Sequence, residues 1–529
     1  MNDYAACYRD HRLDTPERFN FGRDVVDRWA RERDGTALIA VDAEGNEQRY
    51  RFSDIKRESD RLASWLRKAG VSRGDRMIVM LPRIAHWQVA LVACMKIGAV
   101  PIPCITMLTG KDLAYRVQHS GAIGAISVRD ECDKFATIPA LRVRLCVDGQ
   151  RPGWTDLATL EPAPADFEPC DLGAEEPAIL YYTSGSTGNP KGVCHASRAI
   201  HAWRVSAWYW LDLGPEDVMW CTADTGWSKA GTSILFGPWS QGSCVLFYEG
   251  PFDARQRLAL LERYRVSVFC AAATELRRLV ALDAGDFDLS ALRLSVSAGE
   301  SVNPEVLEAW TRMTGVPLLD GYGQTETLMT VLNYPCMPVR AGAMGKPLPG
   351  VVIGLHAEDG HIVDGPGQGQ LAIRAPNAQL MLGYWNDPDR TAAAYVTDRG
   401  ARWFLTGDNV RIDADGYLHF IGRSDDIINS SGYRIGPQEV ENALIEHPAV
   451  RESAVVGVPD AARGELVKAF VVLAEGYTAD AALIQALQDH VKSVTAPYKY
   501  PRLVEFVDDL PKTVSGKIQR NLLRARSRG

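Results

Sequence analysis

An α/β fold of more than one domain is what this 529-residue sequence predicts. Three observations predict it. Helix-period and strand-like patterns alternate through the first four-fifths of the chain, as they do where helices flank a largely parallel sheet. A different α+β texture takes over after about Arg423. The length also exceeds one ordinary core, since about 150 residues per domain suggests roughly three or four units. We therefore expect a large N-terminal part, 1–424, with mixed, largely parallel sheets flanked by helices, and a small α+β C-terminal domain, 425–529.

From Ser53, SDIKRESDRLASWLRKAG carries Ile55, Leu62, Leu66 and Ala69 at helical spacing, with Ser53 suited to cap the start and Gly70 the end. Arg76 to Leu81 reads as a strand, Ala85 to Gly98 as a helix, and the apolar run around Val100 as the next strand. The acidic, proline-bearing stretch from Glu161 to Pro177 has no apolar period and reads as a surface connection. Beyond Arg423, Gln438 to His447 and Ala481 to Lys492 read as helices. Ser453 to Val458 and Lys468 to Leu473 read as strands.

Hydrophobic residues at 46% and charged residues at 23% match an average globular protein and argue against disordered, collagen-like and coiled-coil chains. A net charge of −8 disfavours a nucleic-acid partner held by general phosphate contact, so an anionic ligand must meet local positive charge. Eleven cysteines with no CxxC pair point to reduced thiols and a cytoplasmic setting rather than a disulfide frame or zinc cage. The N-terminal segment lacks the apolar core of a signal peptide. The most apolar stretch, Val89 to Ile105, is broken by Lys96, Gly98, Pro101 and Pro103, so no membrane span is expected. The histidines show no metal-ligand spacing.

The strand-like PAILYY, Pro177 to Tyr182, runs into TSGSTGNPKG, Thr183 to Gly192. Glycines let backbone approach an anion closely, the hydroxyls of Thr183, Ser184, Ser186 and Thr187 can donate to oxygens, and Lys191 supplies charge. The spacing excludes a P-loop, because Pro190 precedes Lys191 and Gly192 follows it where Ser or Thr is required. Further on, DGYGQTET, Asp320 to Thr327, reads either as an ordinary turn or as a nucleotide contact. In the second case Glu326 is a hard oxygen ligand suited to Mg²⁺ and Thr325 can donate to a phosphate. Asp408 in TGD, a carboxylate beside a tight turn, can accept both ribose hydroxyls, and Arg423 opens GRSDD. Near the end, PKTVSGKIQR sets Lys517 after a glycine in a loop-like segment.

In this order the four elements resemble the adenylate-forming superfamily of acyl-CoA synthetases, nonribosomal peptide adenylation domains and luciferases. The stretches GRSDDIINSSGYRIGPQEVENALIEHPAV and VKSVTAPYKYPR are most similar to medium-chain acyl-CoA synthetases. The resemblance implies an enzyme, a carboxylic acid:CoA ligase that forms AMP, using ATP, Mg²⁺ and coenzyme A on a small carboxylic acid. It implies that Thr183, Ser184, Gly185, Ser186, Thr187, Gly188 and Lys191 hold the ATP phosphates, and that Gly299, Glu300 and Ser301 contact adenine. Asp320, Gly321, Tyr322, Gly323, Gln324 and Thr325 would line the base and α-phosphate. Glu326 would hold Mg²⁺, Asp408 and Arg423 would bind ribose, and Lys517 would complete the adenylation site.

For the thioester step it implies a mobile C-terminal domain that turns about Asp425. Ser431, Gly432, Tyr433 and Arg434 would border the pantetheine tunnel, with Arg463, Lys492 and Tyr500 at further CoA positions. Trp227 would stand at the acyl site. Gly323 stands where acetyl-CoA synthetases carry a bulky tryptophan, which implies a pocket open beyond acetate, for medium-chain or small aromatic and branched acids. Lys229 reads as a structural or solvent-facing lysine sooner than a substrate contact. The cluster His201, Trp203, Trp208, Tyr209 and Trp210 reads as packing. Two alternatives remain: an adenylation enzyme that loads a carrier protein, and a catalytically silent nucleotide-binding scaffold. The assembly state, a homodimer included, stays open.

Overall fold

Two sheets with parallel cores carry the N-terminal part. In the larger, Leu318–Gln324, Leu294–Ala298, Val268–Cys270, Val218–Cys221, Cys244–Tyr248 and Thr36–Val41 lie side by side and parallel. Antiparallel strands close its edges, Leu328–Leu332 and Lys346–Pro347 at one end and Glu47–Arg51 at the other. Its central strands are buried on both faces, and Cys244–Tyr248 accordingly reads as a short continuous apolar run, whereas Leu294–Ala298 also buries Ser295 and Ser297. The second sheet is parallel throughout, in the order Val100–Cys104, Arg76–Met80, Gly124–Ser127, Val143–Cys146 and Thr155–Asp156. The structure is a computed structural model, and it describes residues 1–183, 189–299, 302–340, 342–424, 426–430, 433–460, 463–495, 497–513 and 517–527.

The expected helix after residue 52 runs Phe52–Lys68, and its start corrects the assignment of Ser53 as the cap. The Asp54 carboxylate accepts the Arg51 N–H at 2.9 Å, while the Ser53 N–H is taken by Asp34 at 2.8 Å. Gly70 does end the helix, at φ +88°, a left-handed position that suits glycine. The next helix is Ala85–Lys96. Lys96 is fully buried, with its ammonium 2.7 Å from Asp27 and also bonded to Asp60. A charge that interrupts an apolar stretch is thus satisfied by two acids from elements packed against it.

Pro177–Thr183 and Lys191–Ala196 form an antiparallel hairpin in which Thr183 faces Lys191, and Gly383–Tyr384 adds a third strand. Lys191 begins a strand and not a helix, in keeping with the exclusion of a P-loop. An antiparallel sheet built on the long strand Ala401–Ile412 follows, with Gly367–Ala375 and Leu418–Arg423 beside it. After residue 426, helices Pro437–Ile445 and Ala481–Val494 pack on strands Val450–Asp460 and Gly464–Leu473. Ile435, Val440, Leu444, Val455, Val467 and Leu487 belong to a hydrophobic cluster of this segment's own.

Trp203 and Trp210 are fully buried in the main core, whereas Trp208 departs from the packing assignment at 39% exposed. All eleven cysteines are free thiols. Among the described residues no helix is long and apolar enough to cross a membrane.

Candidate active site

The hairpin, the strand Leu318–Gln324 with its following turn, and the short strand Gly383–Tyr384 bring three polar side chains to one point. Lys191 Nζ lies 2.8 Å from Glu326 Oε1. The Tyr384 hydroxyl donates to the same oxygen at 2.9 Å, and the Lys191 ammonium stands 3.1 Å from that hydroxyl and 4.6 Å above the ring centroid. Glu326 is 7% exposed. Burial raises its pKa, but Lys191 and the Tyr384 hydrogen bond outweigh this and hold the carboxyl below its ordinary value, so it is anionic at neutral pH. Lys191 and Tyr384 also line a cleft of about 180 Å³ with Tyr115, His119, Asn189 and Trp385.

Thr325 is held from two sides. Its hydroxyl is 3.1 Å from Ser228 Oγ, and its carbonyl accepts from His195 Nε2 at 2.6 Å. His195 is fully buried, and burial above all pushes its pKa down to about 4, so the ring is neutral and its proton sits on Nε2 to make that bond. Thr183 Oγ1, at the end of the hairpin's first strand, is buried with no hydrogen-bond partner among the described residues. This is an orphaned donor where phosphate oxygens are expected.

A second cluster forms around Asp408. Asp408 and Arg423 face each other across antiparallel strands, with an ion-pair distance of 3.4 Å. Tyr322 OH and Gln324 Nε2 each donate to Asp408 Oδ2 at 2.6 Å. Burial raises the Asp408 pKa, and Arg423, the two hydrogen bonds and the charge of Lys517 pull against it. The exposed Lys517 is bonded to Thr513: its carbonyl accepts the Thr513 N–H at 2.7 Å, and its own N–H donates to Thr513 Oγ1 at 3.2 Å. The fold thus brings Tyr322, Gln324, Asp408 and Arg423 together, within reach of the charge of Lys517.

Gly299 ends strand Leu294–Ala298 at φ +97° with open space where a Cβ would stand. The Asp320 carboxylate accepts the Gly321 N–H at 2.9 Å, and a Cβ on Gly321 would meet Leu332 and Trp210. At Gly323 a Cβ would lie 2.1 Å from the Leu328 carbonyl oxygen, so the close approach of two strands demands glycine in this backbone. Trp227 packs on the cluster of Ile102, Ile105 and Tyr182, and Lys229 donates to the Ala298 carbonyl at 3.1 Å.

In the C-terminal segment Lys492 lies 2.8 Å from Asp489 and 4.5 Å over the Tyr500 ring, and Arg502, which sequence reasoning missed, lies 4.7 Å over the same ring. Arg463 stands in the turn before Gly464–Leu473, its N–H donating to Asp460 at 2.9 Å. Ser184, Gly185, Ser186, Thr187, Gly188, Glu300, Ser301, Asp425, Ser431 and Gly432 lie outside the described residues, as do the side chains of Tyr433 and Arg434. Tyr384, His195 and Ser228 were also missed. None stands in a turn or a glycine-rich motif, and only the folded register brings them to Lys191, Glu326 and Thr325.

Residues 26–385 match the family model described as AMP-binding enzyme, and 439–517 match the AMP-binding enzyme C-terminal domain. The mouse (Mus musculus) mitochondrial acyl-coenzyme A synthetase ACSM3 is 41% identical, covering 99% of this chain and 93% of its own. Among solved structures, an acyl-CoA synthetase from Brucella canis is 32% identical at TM-score 0.74, covering 100% of this chain and 99% of its own. The anthranilate CoA ligase AuaEII, solved with anthranoyl-AMP, is 30% identical at TM-score 0.87, covering 97% and 98%. With the site's geometry these likenesses give one conclusion: the chain belongs to the AMP-binding, adenylate-forming enzyme family.

Proposed function

We infer that the protein is an ATP-dependent carboxylic acid:CoA ligase. It joins the acid to AMP, releasing pyrophosphate, and then transfers the acyl group to the CoA thiol, releasing AMP. The observation that carries this reading is the buried Glu326 carboxylate held by Lys191 and Tyr384 in a chain 41% identical over its length to an acyl-coenzyme A synthetase. The adenylation step brings a carboxylate to the α-phosphorus of ATP while pyrophosphate leaves, so mutual repulsion of anions is the barrier. Preorganised positive charge where negative charge develops is the largest general remedy.

In our proposal Thr183, Lys191 and the loop between them hold the phosphates. Lys517 reaches the reacting centre, Asp408 and Arg423 hold the ribose, and Thr325 is kept oriented by Ser228 and His195. The donor chemistry fits Mg²⁺ arriving with ATP: the divalent ion takes one or two carboxylates and completes its shell with substrate phosphates and water, and Glu326 is such a carboxylate. When bound, Mg²⁺ would neutralise phosphate charge. Lys492 and Tyr500, with Arg463, would meet CoA, whose phosphates suit charge-assisted bonds.

We propose that the boundary of the mobile domain is at Asp425, and that the acid is medium-chain or a small aromatic or branched one. The Gly323 argument for an open pocket is reshaped by the strand contact there. The acid class now rests on the resemblance to medium-chain acyl-CoA synthetases and on the likeness to an anthranilate ligase. A cytoplasmic setting is supported by the free thiols. The test is ATP–pyrophosphate exchange over a panel of acids, together with AMP release with and without CoA. We expect acid-dependent exchange without CoA and sustained AMP release only with it. Absence of exchange with every acid would refute the reading, and AMP release driven by a carrier protein in place of CoA would redirect it.

A further inference from the structure

Lys191 and Glu326 are both expected to serve the nucleotide, yet they are 2.8 Å apart and neutralise each other. Binding of Mg·ATP must open this pair, because the ammonium is wanted by phosphate and the carboxylate by the metal. Once Lys191 leaves, a buried carboxylate loses its counter-charge and one of its two donors to Oε1. The other donor is the Tyr384 hydroxyl, at 2.9 Å.

We propose that Tyr384 is a positioning residue for the metal–nucleotide site: its hydroxyl holds the Glu326 carboxylate in a fixed orientation while Lys191 moves from Glu326 to the phosphates. Tyr384 is suited to this for two reasons. Its strand is fixed by pairing with Val193 beside Lys191, and its own N–H is bonded to Thr391 Oγ1 at 2.9 Å. The backbone of Glu326 is tied to the same segment, the Met381 N–H donating to the Glu326 carbonyl at 2.9 Å. The ring also gives Lys191 an aromatic face to slide across, with the ammonium 4.6 Å from the centroid. Second partners of metal-binding carboxylates act in this way in general, orienting the ligand without touching the ion.

The inference rests on the reading of this site as the Mg·ATP site, and the experiment separates the two. ATP binding to the wild type, Tyr384→Phe, Glu326→Gln and the double variant is titrated by calorimetry without acid or CoA, once in EDTA and once in Mg²⁺. The quantity read is the factor by which Mg²⁺ tightens ATP binding. Tyr384→Phe keeps the ring and its packing, so its EDTA affinity should match or exceed the wild type's, while the Mg²⁺ factor should fall roughly 10- to 100-fold. Glu326→Gln should lose the same factor and the double variant no more, which marks Tyr384 as acting through Glu326. An unchanged Mg²⁺ factor in Tyr384→Phe, or an equal loss of affinity with and without metal, would overturn the proposal and leave the site reading standing. A wild type that binds no ATP in either condition would overturn both.

Discussion

Lys517 and Asp408 stand far apart in the chain, and the charge of the first reaches the carboxylate of the second. Asp408 is 4% exposed, and burial holds its pKa above the ordinary value against the pull of Arg423, the bonds from Tyr322 and Gln324, and Lys517 itself. Removing the lysine takes away a preorganised cation whose loss in comparable settings costs about 10² to 10³ in rate. Lys517→Ala should therefore lose adenylate formation on that scale, measured as ATP–pyrophosphate exchange with a good acid, and exchange at the wild-type rate would refute its role. At this scale the sequence was most informative where an ionisable residue sits in a turn or glycine-rich segment. Lys191, Glu326, Asp408, Arg423 and Lys517 all do, because such segments approach ligands with backbone as well as side chain. Tyr384 was illegible for the opposite reason. A tyrosine in a short strand is as good a core residue as a ligand's neighbour, and its contact with Lys191 spans 193 positions of chain.

Secondary-structure elements were legible where a single period dominates. Buried parallel strands such as Arg76–Met80 and Val100–Cys104 appear as apolar runs, and the helix Phe52–Lys68 appears through its apolar stripe, while its start differs from the expected Ser53 cap because Asp54 takes the Arg51 N–H and Asp34 the Ser53 N–H. Lys96 was visible only as an interruption. Its meaning needed the approach of the π-helical segment Gly22–Asp27 and the helix carrying Asp60. Removing one partner of a buried ion network leaves uncompensated charge, so Lys96→Met should cost about 3–5 kcal/mol at neutral pH. Burial already raises the Asp27 pKa against the pull of Lys96. Without the ammonium, the folded-state pKa of Asp27 should lie further above its unfolded value. The folded state then binds more protons, and the deficit should shrink as pH falls and grow as it rises. Urea unfolding of both proteins at several pH values measures this. A variant with the wild-type midpoint at pH 8 would show that the buried pairs carry no weight.

At the scale of the whole molecule, the change of texture after Arg423 was legible, since a new alternation of helix and strand patterns signals a new core. The number of sheets and the pairing of distant edges such as Gly383–Tyr384 with Lys191–Ala196 were not, since pairing partners leave no local mark. The side-chain contacts of the two residues flanking Asp425 differ, although the Asp426 N–H still donates to the Arg423 carbonyl at 3.0 Å. Ser424 Oγ accepts from Gln370 at 2.9 Å and Asn409 at 2.8 Å, and its N–H donates to the Gly407 carbonyl, all on the N-terminal side. Asp426 instead pairs with Arg524 at 2.8 Å and lies 3.8 Å from Arg520, both in the C-terminal helix Arg520–Arg526, and Arg520 in turn grips the buried Glu441 at 2.7 Å. Lys517 is therefore joined to residues that belong with Asp426, and a rotation about residue 425 would move the lysine relative to Asp408 as one body with its domain. Such motions commonly govern turnover, and a hinge must adopt two backbone conformations. Proline fixes φ near −65° and removes the N–H. Asp425→Pro should accordingly leave ATP–pyrophosphate exchange largely intact and cut CoA-dependent thioester formation at least tenfold, about 1.4 kcal/mol or more in barrier. Both half-reactions are measured on the same preparation. Equal loss of the two would mean that residue 425 supports the fold without acting as a pivot, and undiminished thioester formation would place the pivot elsewhere.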